Sequence, residues 1–249
     1  MKPTTLGILG GLGPMSGVYF CEMLLSHTKA ERDQDHLNFL LSSRADTPDR
    51  TAYITGESRE DPTPVMIREV RRLSEAGADL IAIPCNTAHY FYDAVAKASS
   101  VPILNIIETT AAYCAARGFS KVGVMATAGT VSSGSYKNAL DKHGIECITP
   151  SPEDQRLVGE IIYGDVKQGK DPDSHCFLRI ANVLRQQGAE TVILGCTELS
   201  LLKRTFRLGE DFTDSLEVLA LSALRLCGKT PIGFEAPLMA FLPPAPIHS

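Results

Sequence analysis

Apolar residues fall along the chain in two alternating patterns. Short unbroken runs, the mark of parallel strands covered on both faces, alternate with longer segments that carry apolar positions at helical spacing. The runs are Thr5–Gly10, Leu37–Leu41, the stretch ending at Cys85, Ile103–Asn105, Val122–Ala126, Glu146–Ile148 and the stretch ending at Cys196. Helices are predicted from Gly13-Pro14 to about Thr28, from Asp61 to Ala76, and over Thr87–Ala98, Thr109–Arg117, Val131–His143, Glu153–Gln168, Asp173–Gln187 and Asp214–Leu226. In Glu153–Gln168 the spacing of Leu157, Val158, Ile161, Ile162 and Val166 marks one buried face. The polar, turn-rich segment Ser42–Thr51 reads as a loop over a cleft, and Leu201–Phe212 has no clear pattern. The tail from Gly228, with Pro243-Pro244-Ala245-Pro246, has no usable period and reads as a terminal arm packed on a partner subunit.

The pattern repeats. Gly77-Ala78 and Gly188-Ala189 each leave a helix, an apolar run of strand length follows, and a cysteine closes it at the same distance, Cys85 in one copy and Cys196 in the other. Upstream, Leu6–Pro14 aligns with Val122–Thr130, which sets the glycine-rich turn at Gly11 against Thr127. Two copies of one βαβ-type module predict an α/β fold of two pseudo-twofold-related lobes. Each lobe is a doubly wound, Rossmann- or flavodoxin-like parallel sheet, with the active site in the cleft between them. The expected division is residues 1–105 plus 213–249 for one lobe and 106–212 for the other.

Composition narrows the function. A hydrophobic share of 44% with 21% charged residues is that of an ordinary globular protein. The formal charge of −5, without a dense Lys/Arg run, argues against nucleic acid and anionic membrane as partners and for a small molecule. No apolar stretch reaches spanning length, and Leu6–Met15 lacks the basic flank of a signal segment. Seven cysteines in no disulfide spacing fit a reducing cytoplasm. Cys21, Cys114, Cys147, Cys176 and Cys227 are expected to be ordinary packing residues.

Ligands of parallel α/β sheets bind beyond the carboxyl ends of the strands, which brings Cys85 and Cys196 to the cleft beside helix N-termini, face to face. That position is expected to lower the thiol pKa. Opposed thiols suit the movement of a proton between the two faces of a carbon, one sulfur as base and the other as acid, at a separation of roughly 6–8 Å. Asn86, Thr87 and Thr197 beside the cysteines would hold the carboxylate onto which the carbanion spreads. Gly10, Gly11 and Gly13 let an anion approach a helix N-terminus, and Arg50 could grip a carboxylate bidentately.

Together the segments Ile8-Leu9-Gly10-Gly11-Leu12-Gly13-Pro14, Pro48-Asp49-Arg50-Thr51, Pro84-Cys85-Asn86-Thr87-Ala88-His89, Ile162-Tyr163-Gly164-Asp165-Val166-Lys167 and Gly195-Cys196-Thr197-Glu198-Leu199 resemble the aspartate/glutamate racemase superfamily, in particular its aspartate racemase branch. The resemblance spans nearly the whole chain. It implies a cofactor-independent enzyme that interconverts L- and D-aspartate with Cys85 and Cys196 as the acid/base pair, working as a homodimer. It also implies substrate binding by Gly11, Arg50, Asn86, Thr87, Thr127, Lys167, Thr197 and Glu198, with Arg50 and Lys167 on the side-chain carboxylate. Leu9-Gly10-Gly11 and Glu198 stand where glutamate racemases of the superfamily carry Asp-Ser-Gly and His, and the presence of both cysteines argues against an arylmalonate decarboxylase activity. Glutamate, hydantoin and broad-specificity racemases share the scaffold and remain alternatives. Two further readings come from other classes: a zinc hydrolase built on Cys85, His89, Cys196 and Glu198, and a non-catalytic amino-acid-binding module.

Overall fold

The first apolar run is covered on both sides: Leu6 and Ile8 point one way, Leu9 the other, and all three are buried. In the computed structural model, which describes residues 4–246, it forms β1 (Thr5–Gly10). There follow α1 (Pro14–Ser26), β2 (Asn38–Ser43), α2 (Arg50–Thr55), α3 (Thr63–Glu75) and β3 (Leu80–Ala82). A 3-10 turn at Thr87–Phe91 runs into α4 (Tyr92–Lys97), and β4 (Ile103–Leu104) completes a parallel sheet of order β2-β1-β3-β4. The second half contributes α5 (Ile106–Ala116), β5 (Lys121–Ala126), α6 (Ala128–Ser132), α7 (Ser135–Asp141), β6 (Glu146–Ile148) and α8 (Pro152–Gly159). A π-helical turn at Glu160–Asp165 and a 3-10 turn at Val166–Gln168 precede α9 (Ser174–Gln186), β7 (Thr191–Gly195), α10 (Thr197–Phe206) and β8 (Phe212–Asp214). The second sheet runs β6-β5-β7-β8, parallel throughout and in the same order as the first. The expected two-copy α/β architecture is therefore present, with β1 and β3 matched by β5 and β7.

The chain closes with α11 (Ser215–Leu226) and α12 (Ala236–Met239). One apolar cluster runs from Ile8 and Leu80 of the first sheet through Ile106 of α5 and Leu216 and Ala220 of α11 to Val124 and Ile193 of the second. Full burial of a side chain of this size contributes about 1.5–3 kcal/mol, so this shared core fixes the two sheets relative to each other. Separate clusters lie behind each sheet, around Met66, Val70 and Ile81 in the first and Phe177, Ile180 and Val192 in the second. No helix among the described residues is long and apolar enough to cross a membrane.

Local departures from the pattern have physical causes. The Ser42–Thr51 loop ends in α2 because Asp49 accepts from the Ala52 N–H at 2.8 Å, capping a helix that starts on Arg50. The expected helix Val131–His143 breaks at Gly134, whose φ is 67°. Glu153–Gln168 is helical only to Gly159 before it widens into the π turn. The unreadable stretch Leu201–Phe212 holds most of α10 and the start of β8. The tail packs on its own chain: Leu238 and Phe241 are buried against Tyr113, Val218 and Leu221, and Arg225 binds the carbonyls of Met239 and Phe241.

Candidate active site

Cys196 directly follows β7 and is the N-cap residue of α10, while Cys85 lies just beyond β3 at the start of the turn that leads to Thr87. Both are free thiols, 5% and 6% exposed. They line one narrow pocket, of about 10 Å³, together with Arg50, Asn86, Thr87, Thr127, Lys167, Thr197 and Glu198. The structure thus brings together nearly all the residues expected at the site. Gly11 lies apart, in an adjoining cleft of about 380 Å³. Its φ is 84°, and a Cβ there would meet the Arg44 backbone nitrogen at 2.3 Å, so this glycine serves the close approach of two loops.

Arg50 is buried, and three backbone carbonyls fix its guanidinium: Nη2 donates to Leu12 O at 2.8 Å, and Nη1 to Pro48 O at 3.0 Å and Thr47 O at 3.2 Å. Carbonyls orient the cation without cancelling its charge, and Nε is a buried donor with no hydrogen-bond partner among the described residues. Lys167 Nζ sits 4.3 Å from the centre of the Tyr163 ring and 3.8 Å from Glu198 Oε1. Tyr163, from the π turn, donates to Thr51 Oγ1 at 2.8 Å and ties this turn to α2. Tyr163, Thr51, Asp49 and Leu12 also line the pocket. None of these four is among the expected site residues, although each lies in one of the quoted motifs, because the sequence fixes neither where the π turn points Tyr163 nor how the loops before α1 and α2 meet the second lobe.

The other predicted residues divide by what their side chains already hold. Thr87, Thr127 and Thr130 form a triangle of hydroxyls, with separations of 2.9, 3.0 and 3.1 Å, that joins the two halves of the chain. Asn86 donates to Ser215 Oγ at 3.0 Å and accepts from Tyr136 Oη at 2.7 Å. Glu198, 5% exposed, accepts from Cys196 Sγ at 3.0 Å through Oε2. His89 faces away from the pocket: Nδ1 bonds Cys85 O at 2.8 Å, and Nε2 accepts from the Ile106 N–H at 3.2 Å. Burial pushes its pKa down to about 4, with the carbonyls of Cys85 and Leu104 only partly opposing the shift. To ligate zinc beside Cys85, His89 would have to give up its bond to the Cys85 carbonyl or to the Ile106 N–H and turn its ring toward the pocket, so the geometry disfavours that reading.

The electrostatics correct one expectation. Helix N-termini were expected to lower both thiol pKa values, yet both are raised. For Cys85, burial pushes the thiol up and the charges of Arg50 and Lys167 pull it part of the way back. For Cys196 burial again leads, and Glu198 adds to it twice, as a neighbouring negative charge and as the acceptor of the thiol proton. Desolvation of a fully buried thiolate outweighs the partial charge of a helix end.

Two buried thiols that line one pocket beside Arg50 and Lys167 can take a proton from a bound molecule and return one to it. A family model described as Asp/Glu/hydantoin racemase matches residues 9–223. The chain belongs to this family. It is accordingly an isomerase of the racemase class. Its structure resembles that of the aspartate racemase of Picrophilus torridus, with a TM-score of 0.80, 30% identity, and coverage of 92% of this chain and 96% of that one. The broad-specificity amino-acid racemase RacX of Bacillus subtilis strain 168 is 27% identical over 226 residues, 88% of this chain and 96% of that protein. The glutamate racemase of Aquifex pyrophilus is 31% identical over 162 residues, 60% of this chain and 59% of that protein. The expected superfamily is borne out, and the Picrophilus match supports its aspartate racemase branch.

Proposed function

We propose that this racemase-family enzyme interconverts L- and D-aspartate by two-base proton transfer between Cys85 and Cys196, without a cofactor. One observation carries the reading: the two repeat-related thiols line a single buried pocket that also presents Arg50 and Lys167, two cations for a substrate with two carboxylates. One sulfur, as thiolate, removes the α-proton, charge spreads into the α-carboxylate, and the other thiol protonates the opposite face. Neutral donors near the cysteines, Thr87 and Thr197 among them, receive the α-carboxylate, and Asn86 serves through its backbone because its side-chain amide is engaged by Tyr136 and Ser215. The side-chain carboxylate takes Arg50 and Lys167.

The test is loss of the α-proton signal from L-aspartate in D₂O, followed by NMR beside glutamate and neutral amino acids. Aspartate should exchange fastest. Cys85→Ser and Cys196→Ser should each lower net racemisation at least about a hundredfold, since a hydroxyl is a far weaker base than a thiolate at neutral pH. Exchange should survive exhaustive EDTA dialysis. Retention of substantial racemisation by either serine variant would sink the two-base assignment. Fastest exchange of another amino acid would move the substrate to that of a broad-specificity relative.

A further inference from the structure

Glu198 is buried, yet its two oxygens meet different surroundings. Oε2 accepts from Cys196 Sγ at 3.0 Å inside the catalytic pocket. Oε1 lies 3.8 Å from Lys167 Nζ, and it would be only 2.8 Å from a Cβ at Gly13, so the carboxylate leans against the glycine turn that opens α1. Gly13, Lys167 and Glu198 all line the wider outer cleft, and Glu198 lines the inner pocket as well. A single carboxylate therefore spans the wall between a buried thiol and an open cleft.

A two-thiol racemase needs such a span. On the reading proposed above, a turnover in the direction that uses Cys85 as base leaves the substrate's proton on Cys85 and a thiolate at Cys196. Before the same enantiomer can react again, Cys85 must lose a proton and Cys196 must gain one. We propose that Glu198 is the relay that returns the proton to Cys196 from the solvent of the outer cleft. Cys85 releases its proton to water, and the Glu198 carboxylate takes one proton from the protonated water of the cleft, so that no hydroxide is formed. A half-turn of the carboxyl group then presents the O–H to sulfur; the O–H bond breaks, the S–H bond forms, and the negative charge returns from sulfur to Glu198. The end state is the S–H to Oε2 hydrogen bond seen in the structure. Facing the relay are Lys167 from the turn after α8, Arg50 and Asp49 from the start of α2, and Cys85 from the loop after β3. A thiolate at Cys196 would stand beside the Glu198 charge, and that repulsion favours reprotonation.

Glu198→Gln preserves the shape and removes the titrating oxygen. Resetting follows product release, so it enters kcat and not kcat/KM, which counts steps from free enzyme and substrate. We expect kcat for aspartate to fall at least about tenfold, and at least about threefold further than kcat/KM. A second measurement reads the thiols without turnover: iodoacetamide labelling with peptide mass mapping should modify Cys85 before Cys196 in the wild type, because Glu198 keeps the proton on Cys196. In Glu198→Gln that preference should shrink at least about threefold. Parallel falls of kcat and kcat/KM, or an unchanged labelling preference, would overturn the relay. Labelling that responds to Glu198→Gln in a protein that does not exchange the aspartate α-proton would support the Cys196–Glu198 proton link and refute the aspartate assignment.

Discussion

At the scale of single residues the pocket separates charge from position. Arg50 is held by three carbonyls, whereas Lys167 is half-buried and held chiefly by the Tyr163 ring and the distant edge of Glu198. Truncating Lys167 therefore disturbs little packing and tests charge alone. Charge-assisted hydrogen bonds are worth on the order of 1.5–3 kcal/mol, so Lys167→Ala should lower kcat/KM for aspartate roughly tenfold to a hundredfold. A neutral amino acid accepted by the wild type should lose far less, and equal losses on both substrates would remove Lys167 from specificity. The cysteines were legible because repeat position and residue type together mark chemistry, and Arg50 because its motif Pro48-Asp49-Arg50-Thr51 resembles the family's. The direction of the thiol shifts was not: it depends on how completely the pocket excludes water, and burial at Cys85 and Cys196 is a property of the packed pair of lobes.

At the scale of elements the cysteines owe their placement to how β3 and β7 end. Cys196 passes straight into α10, but Cys85 enters a 3-10 turn that is clipped from behind by His89. The ring joins the Cys85 carbonyl to the Ile106 N–H at the first residue of α5, tying the Cys85 turn to the start of that helix. This clip requires neutral imidazole, which accepts at Nε2. Because its folded pKa lies near 4, below the ordinary 6.5, His89 contributes stability that is present above pH 6.5 and lost as pH falls toward 4. The size of the shift corresponds to about 3 kcal/mol, so urea midpoints of the wild type and His89→Gln should converge on acidification over that window. A stability difference that stays constant from pH 7 to pH 4 would show that protonation of His89 is not linked to unfolding. Helix periodicity announced the segment Glu153–Gln168 but not its form. The π turn at Glu160–Asp165, which carries Tyr163 and leads into the 3-10 turn that carries Lys167, keeps apolar residues on one face much as an α-helix does. Gly159 and Gly164 were the only hints of a change in winding.

At the scale of the molecule, the pocket exists only where the lobes meet. The hydroxyl triangle of Thr87, Thr127 and Thr130, the chain from Tyr136 through Asn86 to Ser215, and the Tyr163–Thr51 bond all cross that junction. Two-lobe symmetry was legible in the repeated glycine-to-cysteine runs, but these crossing bonds were not, since each pairs residues far apart in sequence. A further junction lies behind the site, where Lys203 near the end of α10 bonds Glu217 of α11 at 2.7 Å and stands 3.5 Å from Glu235 of the tail. Asp214 joins the same cluster, so one cation faces three carboxyl groups. The ammonium is held charged above its ordinary range, because the attraction of these carboxylates exceeds the cost of its burial. It cannot satisfy all three partners: burial first, and then the charge of Asp214, push the Glu217 carboxyl up to about 7 despite its bond to Lys203. A carboxyl whose folded pKa exceeds its unfolded value gives stability that is complete below pH 4.5 and is lost as pH rises through about 7, the opposite slope to that of His89. Comparison with Glu217→Gln, which cannot titrate, isolates this contribution from that of the histidine. The wild type should lose about 1–3 kcal/mol relative to the variant between pH 4.5 and 7.5, the upper figure being the full shift and the lower allowing for partial solvent screening. Denaturant unfolding at the two pH values measures it, and a difference that does not change with pH would mean that Glu217 is already ionised at the acidic end, with Lys203 strong enough to hold all three charges.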